Sequence, residues 1–133
     1  MLSYALMKDA MIVIAHGSKE ADSNQAFLDL IEKFRKTYRQ RMVQPAFLEL
    51  CKPGISEAID LCAEQGAEEV LIVPFMLFAG RHVKKDIPDH IQKAKMKYPA
   101  LDFHYTGPLA DQPGMLDILK LQAGRKPRSR SHA

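Results

Sequence analysis

The chain contains no tryptophan, and Cys51 and Cys62 are its only cysteines. Neither belongs to a CxxC pair or a ligand-like grouping, which argues against a cysteine-based metal site and a disulfide framework. Each lies in an otherwise apolar stretch and reads as a buried free thiol. No apolar run approaches the roughly 18 residues that a membrane-crossing helix requires, so no membrane span is expected. GxGxxG and GxxxxGK[ST] are both missing, which removes the glycine-rich signatures of dinucleotide and nucleoside triphosphate binding. His16, Gly17 and Ser18 do not form a GxSxG elbow, which argues against a serine hydrolase.

Acidic residues are missing from the last twelve positions, QAGRKPRSRSHA, which carry Arg125, Lys126, Arg128 and Arg130. The formal charge is +3; removing those four cations leaves −1 for the rest of the chain. The basic balance therefore belongs to a tail over 123–133, expected to be disordered, and not to a folded body over 1–122. With no aromatic-rich basic face elsewhere, nucleic-acid recognition is not expected. The start, MLSYALMKDAMIVIAHG, lacks a basic leading region and runs into a strand-like segment. It does not read as a signal peptide, and a cytoplasmic location is the default expectation.

What is present is an alternation of strands and helices in 133 residues, enough for one domain. Strands are expected at Ala10–Ala15, Val43–Leu50, Glu69–Phe75 and Leu101–Thr106. Helical periodicity fills Ser23–Tyr38, Pro53–Gln65, Val83–Lys97 and Gln112–Gln122. The first helix carries the stripe Phe27, Leu30, Ile31, Phe34 and Tyr38, with Asp22 or Ser23 as cap. The second carries Ile55, Ala58, Ile59 and Cys62, with Gly66 as its stop, and the third Val83, Ile87, Ile91 and Ala94. Pro45 argues for an edge position of the second strand or for its first residues, and Pro88 interrupts the third helix. Apolar strands joined by helical crossovers imply a four-stranded parallel sheet covered on both faces.

Right-handed crossovers put every strand-to-helix loop at one edge of such a sheet. His16 follows the first strand, Glu49 lies near the end of the second, and His82 follows the third. Three residues far apart in sequence thus converge where open α/β sheets bind ligands. Two imidazoles and a carboxylate suit metal ligation or proton transfer. Met76, Leu77 and Phe78 offer either core packing or an exposed apolar surface, as a wall for a flat ligand or a subunit contact. Lys19, Arg81, Lys84 and Lys85 offer either a solvated rim or partners for carboxylates. His90 and His104 sit inside elements and are read as having no site role.

Three segments resemble a known family: HGS at 16–18, FLEL at 47–50 and, most specifically, PFMLFAGRHVKKDIP at 74–88. They are similar to the small class II chelatases of the CbiX type, related to the sirohydrochlorin cobaltochelatases and ferrochelatases. The resemblance runs from Met11 to about Leu121. It implies a chelatase-like (flavodoxin-like) three-layer sandwich and insertion of Co2+, or else Fe2+ or Ni2+, into sirohydrochlorin in cobalamin or siroheme biosynthesis. The metal is then a substrate, with no tightly bound cofactor, and the working unit a homodimer. His16 and His82 take the metal-binding and catalytic positions, and Glu49 the acidic position. Ser18, Lys19, Met76, Leu77, Phe78, Arg81, Lys84 and Lys85 are the candidates for substrate contact. Where the family often reads HGSR, this chain has Lys19, which keeps the charge and loses the bidentate fork. A non-catalytic carrier of the metal or the tetrapyrrole is the alternative.

Overall fold

The structure is a computed structural model that describes residues 7–125. Most of the basic tail, expected to be disordered, lies outside those residues. Four strands, β1 (Asp9–Ala15), β2 (Met42–Phe47), β3 (Glu69–Pro74) and β4 (Asp102–Tyr105), form one parallel sheet in the order β2-β1-β3-β4. Helix α1 spans Ala21–Thr37, α2 Ile55–Glu64, α3 Arg81–Lys97 and α4 Gly114–Ala123. The result is the α/β three-layer sandwich expected from the alternation. Pro45 sits opposite Val13 on edge strand β2, where its missing donor interrupts no second ladder.

The strand alternation divides the core. Ala10, Ile12 and Ile14 of β1, with Val70 and Ile72 of β3, pack under the apolar stripes of α2 and α3. Val13, Val43 and Phe47 point the other way, onto Phe27 and Ile31 of α1. Ile12, Ile14, Val70 and Ile72 are fully buried; shortening any large one to alanine would cost about 2–5 kcal/mol. The α2 and α3 stripes are buried as expected. On α1, Leu30 is instead 43% exposed, because it lies at the margin of a stripe centred on Phe27 and Ile31. At the carboxyl end of α3, Lys97 Nζ and Tyr98 Oη donate hydrogen bonds to Asp60 of α2. Those bonds, from Tyr98 foremost, hold the Asp60 carboxyl below its ordinary range.

Local chemistry moves several expected boundaries. Helix α1 starts at Ala21 after Glu20, so neither Asp22 nor Ser23 caps it. The Ser18–Asn24 pairing described below sets that entry instead. Strand β2 ends at Phe47, whose N–H donates to the Pro53 carbonyl at 2.8 Å, and the chain turns back with Leu50 at φ +67°. Pro53 therefore precedes α2, which begins after Gly54. Helix α3 starts at Arg81 and runs through Pro88 without a break, so His82 lies in its first turn and not in a loop. Gly66 takes φ +92° just past α2, the left-handed stop expected of it. No helix among the described residues is long and apolar enough to cross a membrane.

The two thiols separate. Cys62 is buried in the α2–sheet core, and burial pushes it up to about 12. Cys51 was expected to be buried but is only partly so, because it sits in the loop after β2. A thiol reagent at neutral pH should therefore modify Cys51 in the native protein and Cys62 only on unfolding. Rapid native labelling of both would contradict this packing.

Candidate active site

The carboxyl edge of the sheet is built by continuing the β1–β2 ladder past the strand ends. Leu48 N donates to the Ala15 carbonyl at 2.9 Å and Glu49 N to the His16 carbonyl at 3.1 Å. Two loops distant in sequence are thereby zipped along their backbones. Gly17 permits the approach: its φ is +96°, and a Cβ there would sit 1.9 Å from the Glu49 carbonyl oxygen. The zip brings His16 Nε2 to 3.1 Å from Glu49 Oε1, with both side chains about half exposed. A histidine and a carboxylate expected only to share an edge are in contact.

Ser18 is occupied in shaping this loop. Its N–H donates to Asn24 Oδ1 at 3.0 Å, its carbonyl accepts from Asn24 Nδ2 at 2.8 Å, and its hydroxyl accepts from Glu20 N at 3.0 Å. Asn24, which sequence reasoning passed over, thus staples the histidine loop to α1.

His82 stands on the same edge, in the first turn of α3, paired with Asp86 at 2.8 Å between Nε2 and Oδ2. The spacing is one helical turn. Sequence reasoning missed Asp86 because it began the helix at Val83; once the helix starts at Arg81, the i,i+4 relation is visible. Each of these two imidazoles therefore has a carboxylate partner, the arrangement that orients a ring. Arg81, Lys84 and Lys85 are exposed beside His82, and Lys85 is paired with Asp89 at 3.4 Å. The α3 amino terminus has no acid in its first turn. Its free N–H groups add to a positive field suited to anions. Lys19 is exposed on the β1–α1 loop.

The apolar candidates divide. Met76 packs against the core, whereas Leu77 and Phe78 are 54% and 77% exposed. Leu50, also unforeseen, adds an exposed aliphatic on the same edge. Between the first turns of α3 and the end of β4 lies a mostly apolar cleft of about 300 Å³, bordered by Pro74, Val83, Lys84, Ile87 and Tyr105.

The rim does not hold a ready-made three-ligand cluster. Among the described residues, the three donors lying within 4.8 Å of one another are Glu69, Asp102 and His104. They stand at the amino ends of β3 and β4, opposite the His16–His82 rim. They are exposed or half-exposed, and Glu69 is already 3.9 Å from the Arg41 guanidinium. Glu69 and Asp102 are register partners, and His104 Nε2 lies 3.8 Å from Asp102 Oδ2 on the same strand. On the rim, His82 is paired with Asp86 of its own helix and His16 with Glu49.

A family model described as CbiX matches residues 10–125. The chain is 34% identical over 111 residues to the chloroplastic sirohydrochlorin ferrochelatase of Arabidopsis thaliana, covering 84% of this chain and 49% of that one. A sirohydrochlorin chelatase, SirB, from Bacillus subtilis subspecies spizizenii, solved in complex with cobalt, superposes with a TM-score of 0.79 at 27% identity. The match covers 88% of this chain and 50% of that one. A CbiX protein of Marinobacter aquaeolei VT8 superposes with a TM-score of 0.73 at 26% identity, covering 89% of this chain and 99% of that one. The chain spans 49%, 42% and 36% of the length of three curated relatives it matches.

Gly17→Ala tests the loop zip. The strained φ alone costs on the order of 1–3 kcal/mol, and the methyl group must also push the Glu49 backbone away. Thermal melting should show that loss, and the His16–Glu49 contact should open. Unchanged stability, with the His16 ring resonances of the wild type, would show that the zip is not needed.

Proposed function

From a chain that belongs to the CbiX family, we propose that the rim formed by His16, Glu49 and His82 inserts a divalent metal ion, Co2+ foremost, into a sirohydrochlorin-type tetrapyrrole. The observation that carries this reading is the double histidine–carboxylate pairing on one sheet edge, His16 with Glu49 and His82 with Asp86.

Metal insertion exchanges water on the ion for ring nitrogens and releases two protons from the pyrrole N–H groups, so M2+ and the free macrocycle become the metallated macrocycle and 2 H+. Neutral imidazole suits Co2+, Fe2+ and Ni2+ alike and leaves positions on the ion open for the ring. His16 and His82 hold the incoming ion. As the ion passes to the ring nitrogens the two imidazoles are released from it, and they and their partners Glu49 and Asp86 take up the two protons. Leu77 and Phe78 supply an apolar surface for the ring face. Lys19, Arg81 and Lys84 meet its peripheral carboxylates, as point charges or, from Arg81, as a fork.

The working unit in this reading is a homodimer. The cleft beside α3, at about 300 Å³, lies at the floor of the roughly 300–1,000 Å³ range of small-ligand sites. One copy cannot enclose a tetrapyrrole in it. A second rim facing the first would supply the other wall. Cytoplasmic placement fits the two free thiols, the state that a reducing compartment maintains.

The test is metallation of sirohydrochlorin by Co2+, Ni2+ and Fe2+ in parallel, followed by absorbance and corrected for spontaneous insertion. His82→Ala should lower the enzymatic rate by at least ~10²-fold while far-UV circular dichroism stays that of the wild type. Wild-type rates in that variant would refute the assignment. Stoichiometric binding without accelerated insertion in the native protein would make it a carrier.

A further inference from the structure

One residue at the rim is held where folding alone would not put it. Leu50 takes φ +67° and is the one non-glycine residue with a positive φ among the described residues. Across it the Cys51 N–H donates to the Glu49 carbonyl at 2.9 Å. A bond from residue i+2 back to residue i around a positive φ makes the γ-turn of the rare, strained hand. A Cβ in this region crowds the following carbonyl, whereas glycine enters it freely.

The turn is fixed from several directions. The Phe47 N–H closes the loop at its base by donating to the Pro53 carbonyl at 2.8 Å, and Leu48 and Glu49 are bonded to the backbone of Ala15 and His16. Leu48 packs against the core under α2 and α3, and Cys51 against the core under α1. Surroundings of this kind keep a strained residue in place. Leu50 lies between those two anchors, shares in neither core and is 60% exposed. A single exposed leucine needs no explanation. An exposed leucine where glycine would fold with less strain does, because neither its backbone nor its side chain serves the fold there. Strain of this sort gathers where ligands are held.

Its neighbours narrow the ligand. Glu49 immediately precedes Leu50 and contacts His16. The sheet order β2-β1-β3 puts the loop of His16 between the loop of Leu50 and the loop of Leu77 and Phe78. Two strand spacings, about 10 Å, separate those flanking loops. Exposed apolar side chains thus stand on both sides of an imidazole–carboxylate pair. That layout suits an extended ligand with an apolar face better than a small polar one.

We infer that Leu50 is a ring-contact residue, its side chain meeting a pyrrole-ring face of the tetrapyrrole on the β2 side of His16, as Leu77 and Phe78 meet it on the β3 side. This rests on the chelatase reading above and adds to it a residue that neither ligates the metal nor moves a proton. Such a contact is made before and during insertion alike, so it acts on binding of the ring and not on the rate once the ring is bound.

Leu50→Gly keeps the turn and removes the side chain. Its melting temperature should hold or rise. The KM for sirohydrochlorin should rise about 10-fold, while the KM for Co2+ and the rate at saturating ring stay those of the wild type. Leu50→Met should restore the ring KM. In methyl NMR spectra without metal, the Leu50 signals, assigned by their loss in Leu50→Gly, should shift through the ring current when sirohydrochlorin is added to the wild type. Leu50 methyls that stay put while the ring binds, or a ring KM unchanged in Leu50→Gly, would overturn the contact and leave the chelatase reading standing. So would a lower kcat at unchanged ring KM, which would assign the turn to holding Glu49, or a melting temperature well below the wild type, which would assign Leu50 to the fold. A wild type that neither binds nor metallates sirohydrochlorin sinks the chelatase reading, and the contact with it.

Discussion

Two backbone hydrogen bonds carry the parallel ladder of β1 and β2 beyond the strands and into the loops that follow them. Leu48 to Ala15 and Glu49 to His16 are ordinary main-chain bonds, yet the candidate site depends on them. They leave no room for a side chain at position 17, which is why a glycine with φ +96° stands between His16 and Ser18. They also decide that the imidazole meets a carboxylate and not solvent alone. The core beneath makes the edge rigid, since Ile12, Ile14 and Phe47 on the same strands are almost wholly buried.

The second imidazole reaches the rim by a different route. His82 is placed by the first turn of α3, which Val83 and Ile87 anchor to the sheet, and its carboxylate partner comes from the same helix. One pair thus bridges two loops and the other lies within one element. Between them lies an open edge flanked by exposed apolar and basic side chains. That combination suits the flat, anionic ligand proposed above better than a compact one.

Much of this was legible in the sequence. Continuous apolar strands, Pro45 on an edge and the stripes of α2 and α3 follow from periodicity and proline chemistry, and the rim follows from the handedness of crossovers. Residues 74–88, with HGS at 16–18 and FLEL at 47–50, carried the family resemblance. Features that depend on contacts between distant segments were not legible. The close approach at Gly17 depends on where the loop after β2 passes, and the partly exposed Cys51 depends on that loop's reversal at Leu50. Asp86 was hidden by a helix boundary misplaced by two residues, since an i,i+4 pair is invisible when its first member is assigned to a loop. The periodicity of α4 showed a helix and gave no sign that its apolar side chains would stay exposed.

The central claim is that the metal is received at the carboxyl rim by His16 and His82, and not at the amino-edge group Glu69, Asp102 and His104. Cobalt K-edge X-ray absorption on the Co2+-loaded protein with sirohydrochlorin absent and present tests it most directly. The account predicts imidazole scattering in the wild type, reduced in His16→Ala and in His82→Ala and unchanged in His104→Ala. Scattering that survives both rim substitutions and disappears with His104 would contradict it.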